Sequence, residues 1–134
     1  MPSTKLDDLK PRFKGKVMEL LARLVEARIE VVIIDTFRTQ AEQDLAVKNG
    51  FSWTPHSLHQ DGLAIDICPL LDYQLSGPNK LEWDTTKPVW STIGKIGESL
   101  GLQWGVVING IHKDLGHFQW IGVYAPDLSI GTTK

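Results

Sequence analysis

Apolar residues recur at helical spacing through Phe13, Val17, Leu20, Leu21, Leu24 and Val25, with Lys14, Lys16, Glu19, Arg23 and Glu26 between them. This spacing predicts an amphipathic helix with one face for a core. Val31-Val32-Ile33-Ile34 is β-branched throughout and predicts a buried strand. Thr39-Gln40-Ala41-Glu42 fits a capping box that starts a second, short helix, and Asn49-Gly50 ends it. Leu63 to Cys68 predicts a strand stopped at Pro69, followed by a polar loop from Leu70 to Asp84 that holds Gly77-Pro78. A third helix is expected after a cap at Thr86, with Pro88 in its first turn. Val89, Ile93, Ile96 and Leu100 lie on one face, and Gly101 is the stop. Gln103 to Ile108 and His117 to Ile121 are the remaining strands. Asn109-Gly110 between them signals a turn, although the distance to His117 predicts a connection longer than a tight hairpin. Helices come first and strands are scattered without βαβ alternation. The expected class is therefore α+β, with a small, mainly antiparallel sheet flanked by helices.

Composition narrows the function. The 134 residues have apolar and charged fractions ordinary for one globular domain, long enough to bury a core without staples. A formal net charge of −2 supplies no global positive field for nucleic acid. The one cysteine, Cys68, excludes an internal disulfide and sits in an apolar run as a buried, inert thiol. No apolar run reaches the roughly 18 residues of a membrane span. The N-terminal Met-Pro-Ser-Thr-Lys-Leu-Asp-Asp lacks the apolar segment of a signal peptide, so synthesis in the cytoplasm is expected.

Three short segments carry candidate chemistry. Ser57-Leu58-His59-Gln60-Asp61-Gly62-Leu63-Ala64-Ile65-Asp66 offers an imidazole in a loop and, seven residues on, a carboxylate in a strand. Gly62 permits the tight turn that would bring the two together. Ala64 and Asp66 share one face of that strand, Ile65 and Ile67 the other. A carboxylate in an apolar strand is costly unless paired or metal-bound; taken alone, the segment equally fits a buried Asp that bonds loop backbone. In Asp114-Leu115-Gly116-His117-Phe118-Gln119-Trp120, His117 opens an aromatic strand and Asp114 precedes it by three residues, in a turn. His59, Asp66 and His117 together form a three-ligand set with one position open, as catalytic zinc sites have. Zinc lowers the pKa of water at such a position to about 7, and Asp114 is then available as general base. Asp35-Thr36-Phe37-Arg38-Thr39-Gln40-Ala41-Glu42-Gln43 runs from strand to helix. Arg38 at that junction could steady an oxyanion; the plainer alternative is a surface ion pair with Asp35 or Glu42.

Ser-x-His-x-x-Gly-x-Ala-x-Asp followed by Asp-x-x-His resembles the zinc signature of the D-alanyl-D-alanine carboxypeptidase and dipeptidase superfamily. Within it, the chain is most similar to phage endolysins of the L-alanyl-D-glutamate endopeptidase type. Thr36-Phe37-Arg38-Thr39, with Ala41-Glu42-Gln43, resembles that group's arginine motif. The resemblance implies zinc bound by His59, Asp66 and His117, with Asp114 as acid/base where many relatives have Glu. It implies Arg38 at the oxyanion, Ser57 orienting the loop, and Gln43 lining the cleft. It also implies a substrate, the peptidoglycan stem between L-Ala and D-Glu. Alternatives are a D-Ala-D-Ala carboxypeptidase or dipeptidase, or a zinc-dependent wall-binding module without turnover.

Residues 1–134 are expected to form one monomeric catalytic domain with no separate wall-binding module. It would act on the wall after release, with a pore-forming (holin) helper. His56 is an alternative ligand, disfavoured by the register of the motif. His112 is expected in a solvated loop. The five tryptophans are mostly core, with Trp53 and Trp83 available to rim the cleft.

Overall fold

The structure is a computed structural model that describes residues 2–50, 52, 56–70, 81–122 and 124. Helix α1, Pro11–Glu26, has Pro11 in its first turn and buries Phe13, Val17, Leu20 and Leu24. Those four follow a strict three-and-four spacing. Val25 lies about 100° round the axis from Leu24 and is exposed, contrary to its expected place on the core face. Strand β1, Val31–Asp35, is only half-buried, because it forms one edge of the sheet. Helix α2, Gln40–Lys48, begins with the expected capping box: Thr39 Oγ1 accepts from the Glu42 amide, and Glu42 Oε1 accepts from the Thr39 amide. Strand β2 runs from Ala64 to Pro69, one residue beyond the expected stop. Helix α3 spans Pro88–Ser99. Its N-cap is Lys87, not Thr86, whose amide and hydroxyl instead bind Asp84 Oδ1. Strand β3, Gln103–Ile108, is as expected. Strand β4 starts six residues earlier than expected, at Ile111, and ends at Gln119. Asn109 and Gly110, with φ of 53° and 78°, close a two-residue turn that pairs Ile108 with Ile111.

The architecture is α+β: a four-stranded antiparallel sheet in the order β1-β2-β4-β3, with three helices. Side chains alternate across β2. Ile65 and Ile67 join Phe118, Trp104, Ile93 and the buried stripe of α1 in the core. Each such fully buried side chain contributes about 1.5–3 kcal/mol. The opposite face of β2 presents Asp66. Leu70 makes an isolated bridge to Leu81; Gly77-Pro78 of the expected loop, and Trp53, lie outside the described residues. Among the described residues no helix is long and apolar enough to cross a membrane.

The hairpin is not a plain ladder. Val106 pairs with Lys113, but Trp104 pairs with Phe118, so β4 carries three extra residues across that interval. The excess is taken up as a bulge at Asp114, whose φ is 57°. Gly105 faces it with φ 59°, and a Cβ there would stand 2.1 Å from the Lys113 carbonyl oxygen. Only glycine allows that approach. Trp104 Nε1 donates to the Leu115 carbonyl (2.8 Å) and pins the bulge from the core side.

Helix α3 meets the sheet through glycines, a feature that its apolar spacing does not reveal. A Cβ at Gly94 would lie 2.1 Å from the Trp104 ring, and one at Gly97 would lie 2.3 Å from the Phe118 ring. Gly94→Ala should therefore lower the unfolding free energy by roughly 1–3 kcal/mol through overpacking. Gly15→Ala, at an exposed helical position with open space around it, should raise it by roughly 0.5–1 kcal/mol. Urea unfolding of the two variants checks this; equal stabilities would contradict the packing described.

Candidate active site

Three elements converge on the polar face of the sheet. The first is the turn before β2, a single 3-10 turn at Leu58–Asp61. Ser57 caps it, its Oγ accepting from the His59 amide (3.1 Å), and Gly62 ends it in the left-handed conformation with φ 70°. The turn fixes His59, which is 1% exposed. The second element is the cross-strand pairing of β2 with β4. Asp66 stands directly opposite His117, which places both side chains on one face. The third is the end of β1. An irregularity there sets Asp35 opposite Asp66, so Asp35, Asp66 and His117 form a row across three strands.

The hydrogen bonds settle which ring atoms are available. His59 Nδ1 donates to the Thr36 carbonyl oxygen (3.0 Å), since a carbonyl only accepts. His59 Nε2 is then the ring atom left for a further partner. It lies 3.1 Å from Asp66 Oδ2, yet it is buried and makes no hydrogen bond. A cation between this buried nitrogen and the carboxylate oxygen would satisfy both. His117 Nδ1 lies 2.9 Å from Asp66 Oδ1, and its Nε2 lies 2.7 Å from Gln119 Oε1. With an acceptor at each nitrogen, this ring favours the doubly protonated form in the metal-free protein. Burial opposes that charge, but Asp66, Gln119 and Asp114 outweigh it and raise the His117 pKa. Burial likewise opposes ionisation of Asp66, but hydrogen bonding and the positive field of His117 and His59 more than offset it. The Asp66 carboxyl is held well below the ordinary range.

His59, Asp66 and His117 offer ligand atoms that all lie within 4.8 Å of one another. Ligands about 2 Å from a tetrahedral ion stand roughly 3.3 Å apart, so the two contacts of Asp66 already have nearly the required spacing. The donors, two imidazoles and one carboxylate, suit zinc, and three protein ligands leave a position open. The orphaned Nε2 of His59 is the atom that a metal would satisfy.

The other expected residues fall into place around this group. Asp114 Oδ2 is 3.9 Å from His117 Nδ1, with its side chain about half exposed at the bulge. Burial, then the charge of Asp66, raise its pKa, against the pull of His117, His59 and Arg38. Arg38 lines the same cavity, of about 640 Å³, as His59, Asp66, Asp114 and His117. It also makes the ion pair with Asp35 (2.7 Å) that was its plainer alternative, though buried rather than on the surface, and it reaches Asp66 at 3.5 Å. Gln43 does not line the cavity. It is fully buried behind Arg38, accepting from Nη1 (3.0 Å), because its helix packs that face inward.

His56 pairs with Asp61, and His112 stacks on Trp104 at 4.2 Å in strand β4 rather than lying in a loop. Trp83 is exposed and stacks on Trp90 beside a second cavity. Burial pushes the Cys68 thiol up to about 11, in keeping with an inert role. Two supports were missed from sequence: the Thr36 carbonyl and Gln119. Gln119 lay two residues from His117 on the same strand face, which was a usable signal.

The peptidase family described as D-alanyl-D-alanine carboxypeptidase matches residues 50–120, more than half of the chain. The chain belongs to this family. His59, Asp66, Asp114 and His117 of this carboxypeptidase-family chain all lie inside the matched segment, whereas Arg38 precedes it. No curated protein matches the sequence. Solved structures with a similar fold include the L-Ala D-Glu endopeptidase ChiX of Serratia marcescens, with 20% identity, 90% of each chain covered and a TM-score of 0.65. The LdcB LD-carboxypeptidase has 14% identity over 85% of this chain and 59% of its own, with a TM-score of 0.61. The VanY D,D-pentapeptidase, solved with Zn(II), has 17% identity over 85% and 73%, with a TM-score of 0.57.

Metal uptake must displace the proton of His117 Nδ1. Because the His117 pKa is raised above 6.5 without metal, zinc affinity should be full above that raised value. It should fall by about tenfold per pH unit below it for one released proton. Competitive zinc titration at pH 8, 7 and 6 measures this; an affinity that is flat over that range would contradict it. His59→Ala should abolish stoichiometric zinc, whereas His56→Ala should retain it.

Proposed function

We propose that this family member is a zinc-dependent peptidoglycan peptidase that hydrolyses the L-Ala–D-Glu bond of stem peptides. The observation that carries it is the buried, unbonded Nε2 of His59 facing Asp66 beside His117, with Asp114 across the same cavity. His59 through Nε2, Asp66, and His117 through Nδ1 would hold the metal. Zinc in such a site supplies Lewis acidity and a water of lowered pKa.

The remaining steps belong to the chain's own groups. Asp114 accepts the proton of the attacking water and returns it to the leaving amine. Its raised pKa suits a group that must both take and give a proton. Arg38, which lines the cavity, offers N–H groups to the carbonyl oxygen as charge develops there. Asp35 and Gln43 hold Arg38 in place. Ser57 positions His59 through its backbone amide. No covalent intermediate with the protein is required.

Similarity to the Serratia L-Ala D-Glu endopeptidase over 90% of each chain supports this choice of bond. The family's own description supports a second assignment, removal of a terminal D-Ala from D-Ala-D-Ala, on the same site. Action on the wall after release through a pore-forming helper, as an endolysin acts, belongs to the same proposal.

Digestion of defined muropeptides, read by mass spectrometry, separates the two bonds. The expected products are a fragment ending in L-Ala and a peptide beginning with D-Glu. Release of free D-Ala would select the second assignment, and no product of either kind would refute peptidase function. Asp114→Asn should keep zinc and melting temperature while losing turnover by roughly 100-fold or more. Near-normal turnover in that variant would contradict the acid/base role.

A further inference from the structure

The metal-ligand group is flanked by two cavities, the one already described and a second of about 570 Å³. Asp66, Lys113 and Asp114 line both. In a regular strand, residues 113 and 114 would point to opposite faces. The left-handed backbone at Asp114 breaks the alternation, and Lys113 and Asp114 line the same two cavities.

The other cationic or basic groups there each stand beside an acidic side chain. Arg38 is held by Asp35, Asp66 and Gln43, and His56 by Asp61. His112 stacks on Trp104, bonds its carbonyl oxygen through Nδ1, and lies 3.8 Å from Glu98. Among the described residues lining the two cavities, Lys113 is the cation without an ion pair. Beyond it, the second cavity is walled by Trp83 and Trp90, stacked at 6.5 Å, with Ile111 and Leu115. Beyond a charged mouth the hollow is apolar, and at that mouth Lys113 is the cation beside the carboxylates of Asp66 and Asp114; a substrate carboxylate entering there meets Lys113 as its complementary charge.

Asp114 returns its proton to the leaving amine, so the substrate residue bearing that amine lies on the side of Asp114 and Lys113. We infer that Lys113 is a specificity-determining residue. Its ammonium receives a carboxylate on the substrate residue that bears the leaving amine, and the Trp83–Trp90 cavity houses the rest of that residue. This rests on the peptidase function proposed above. It adds the chemical demand that the site makes on the leaving side, a free carboxylate.

Binding of leaving fragments tests it without requiring turnover. The probes are two tripeptides beginning with D-Glu, identical except that the carboxylate beside the amine is free in one and amidated in the other. Zinc-loaded wild type should bind the free acid roughly tenfold more tightly, the gain expected of one charge-assisted hydrogen bond. Lys113→Met should remove that preference with melting temperature and zinc content retained, and Lys113→Arg should keep most of it. A wild type without the preference, or Lys113→Met that retains it, overturns the inference. A Lys113-dependent preference in a protein that cleaves no muropeptide would sustain this inference and refute the peptidase function instead.

Discussion

A carboxylate in the middle of an apolar strand governs this structure. Asp66 sits in β2 between Ile65 and Ile67, both core residues, and taking its charge from water is unfavourable unless partners surround it. The surroundings supply them from three directions. His117 comes from the neighbouring strand by register, His59 from a capped turn seven residues upstream, and Arg38 from the junction after β1. These groups keep Asp66 ionised, but they leave one contact unresolved. His59 Nε2, buried, lies 3.1 Å from Asp66 Oδ2 without a hydrogen bond of acceptable geometry. A cation held between them would satisfy both atoms, which is the part that the proposed metal plays.

The two faces of the sheet divide the work. One is closed by α1 and α3, with Gly94 and Gly97 letting Trp104 and Phe118 approach α3 closely. Phe118 and His117 are neighbours in β4, so packing of the first fixes the direction of the second. The core thereby sets the orientation of a ligand. The bulge at Asp114 serves the opposite purpose. It removes one residue from the alternation and leaves its carboxylate half exposed, near the ligands but outside the set of three. Left-handed backbone at a residue other than glycine is sparsely populated, and here it coincides with the residue assigned to proton transfer, as strained positions at functional sites often do.

Much of this was legible in the sequence, and the misses have physical causes. Helix α1, the capping box at Thr39, the turn at Gly62 and the alternation in β2 rest on local rules, and all appear in the structure. His59, Asp66 and His117 were picked out by spacing, and the fold places their ligand atoms together. The early start of β4 was not legible, because His112, Lys113 and Asp114 break the apolar alternation that marks a strand. Their polarity reflects the cavities they line. Edge position left β1 half-buried despite its β-branched run, a property of sheet order rather than of the segment. Gln43 was expected at the cleft and lies buried behind Arg38. A helix face can be assigned from spacing, but which of its polar residues turns inward depends on a buried partner elsewhere, here a guanidinium.

A metal ion between His59, Asp66 and His117 underlies all of the proposed chemistry. Anomalous diffraction from crystals of the zinc-loaded protein, collected on both sides of the zinc absorption edge, tests it most directly. The expected result is one strong site bounded by His59 Nε2, His117 Nδ1 and an Asp66 oxygen, with Asp114 outside the ligand set. An anomalous peak held by other residues, or none at that position in a protein that carries stoichiometric zinc, would contradict it.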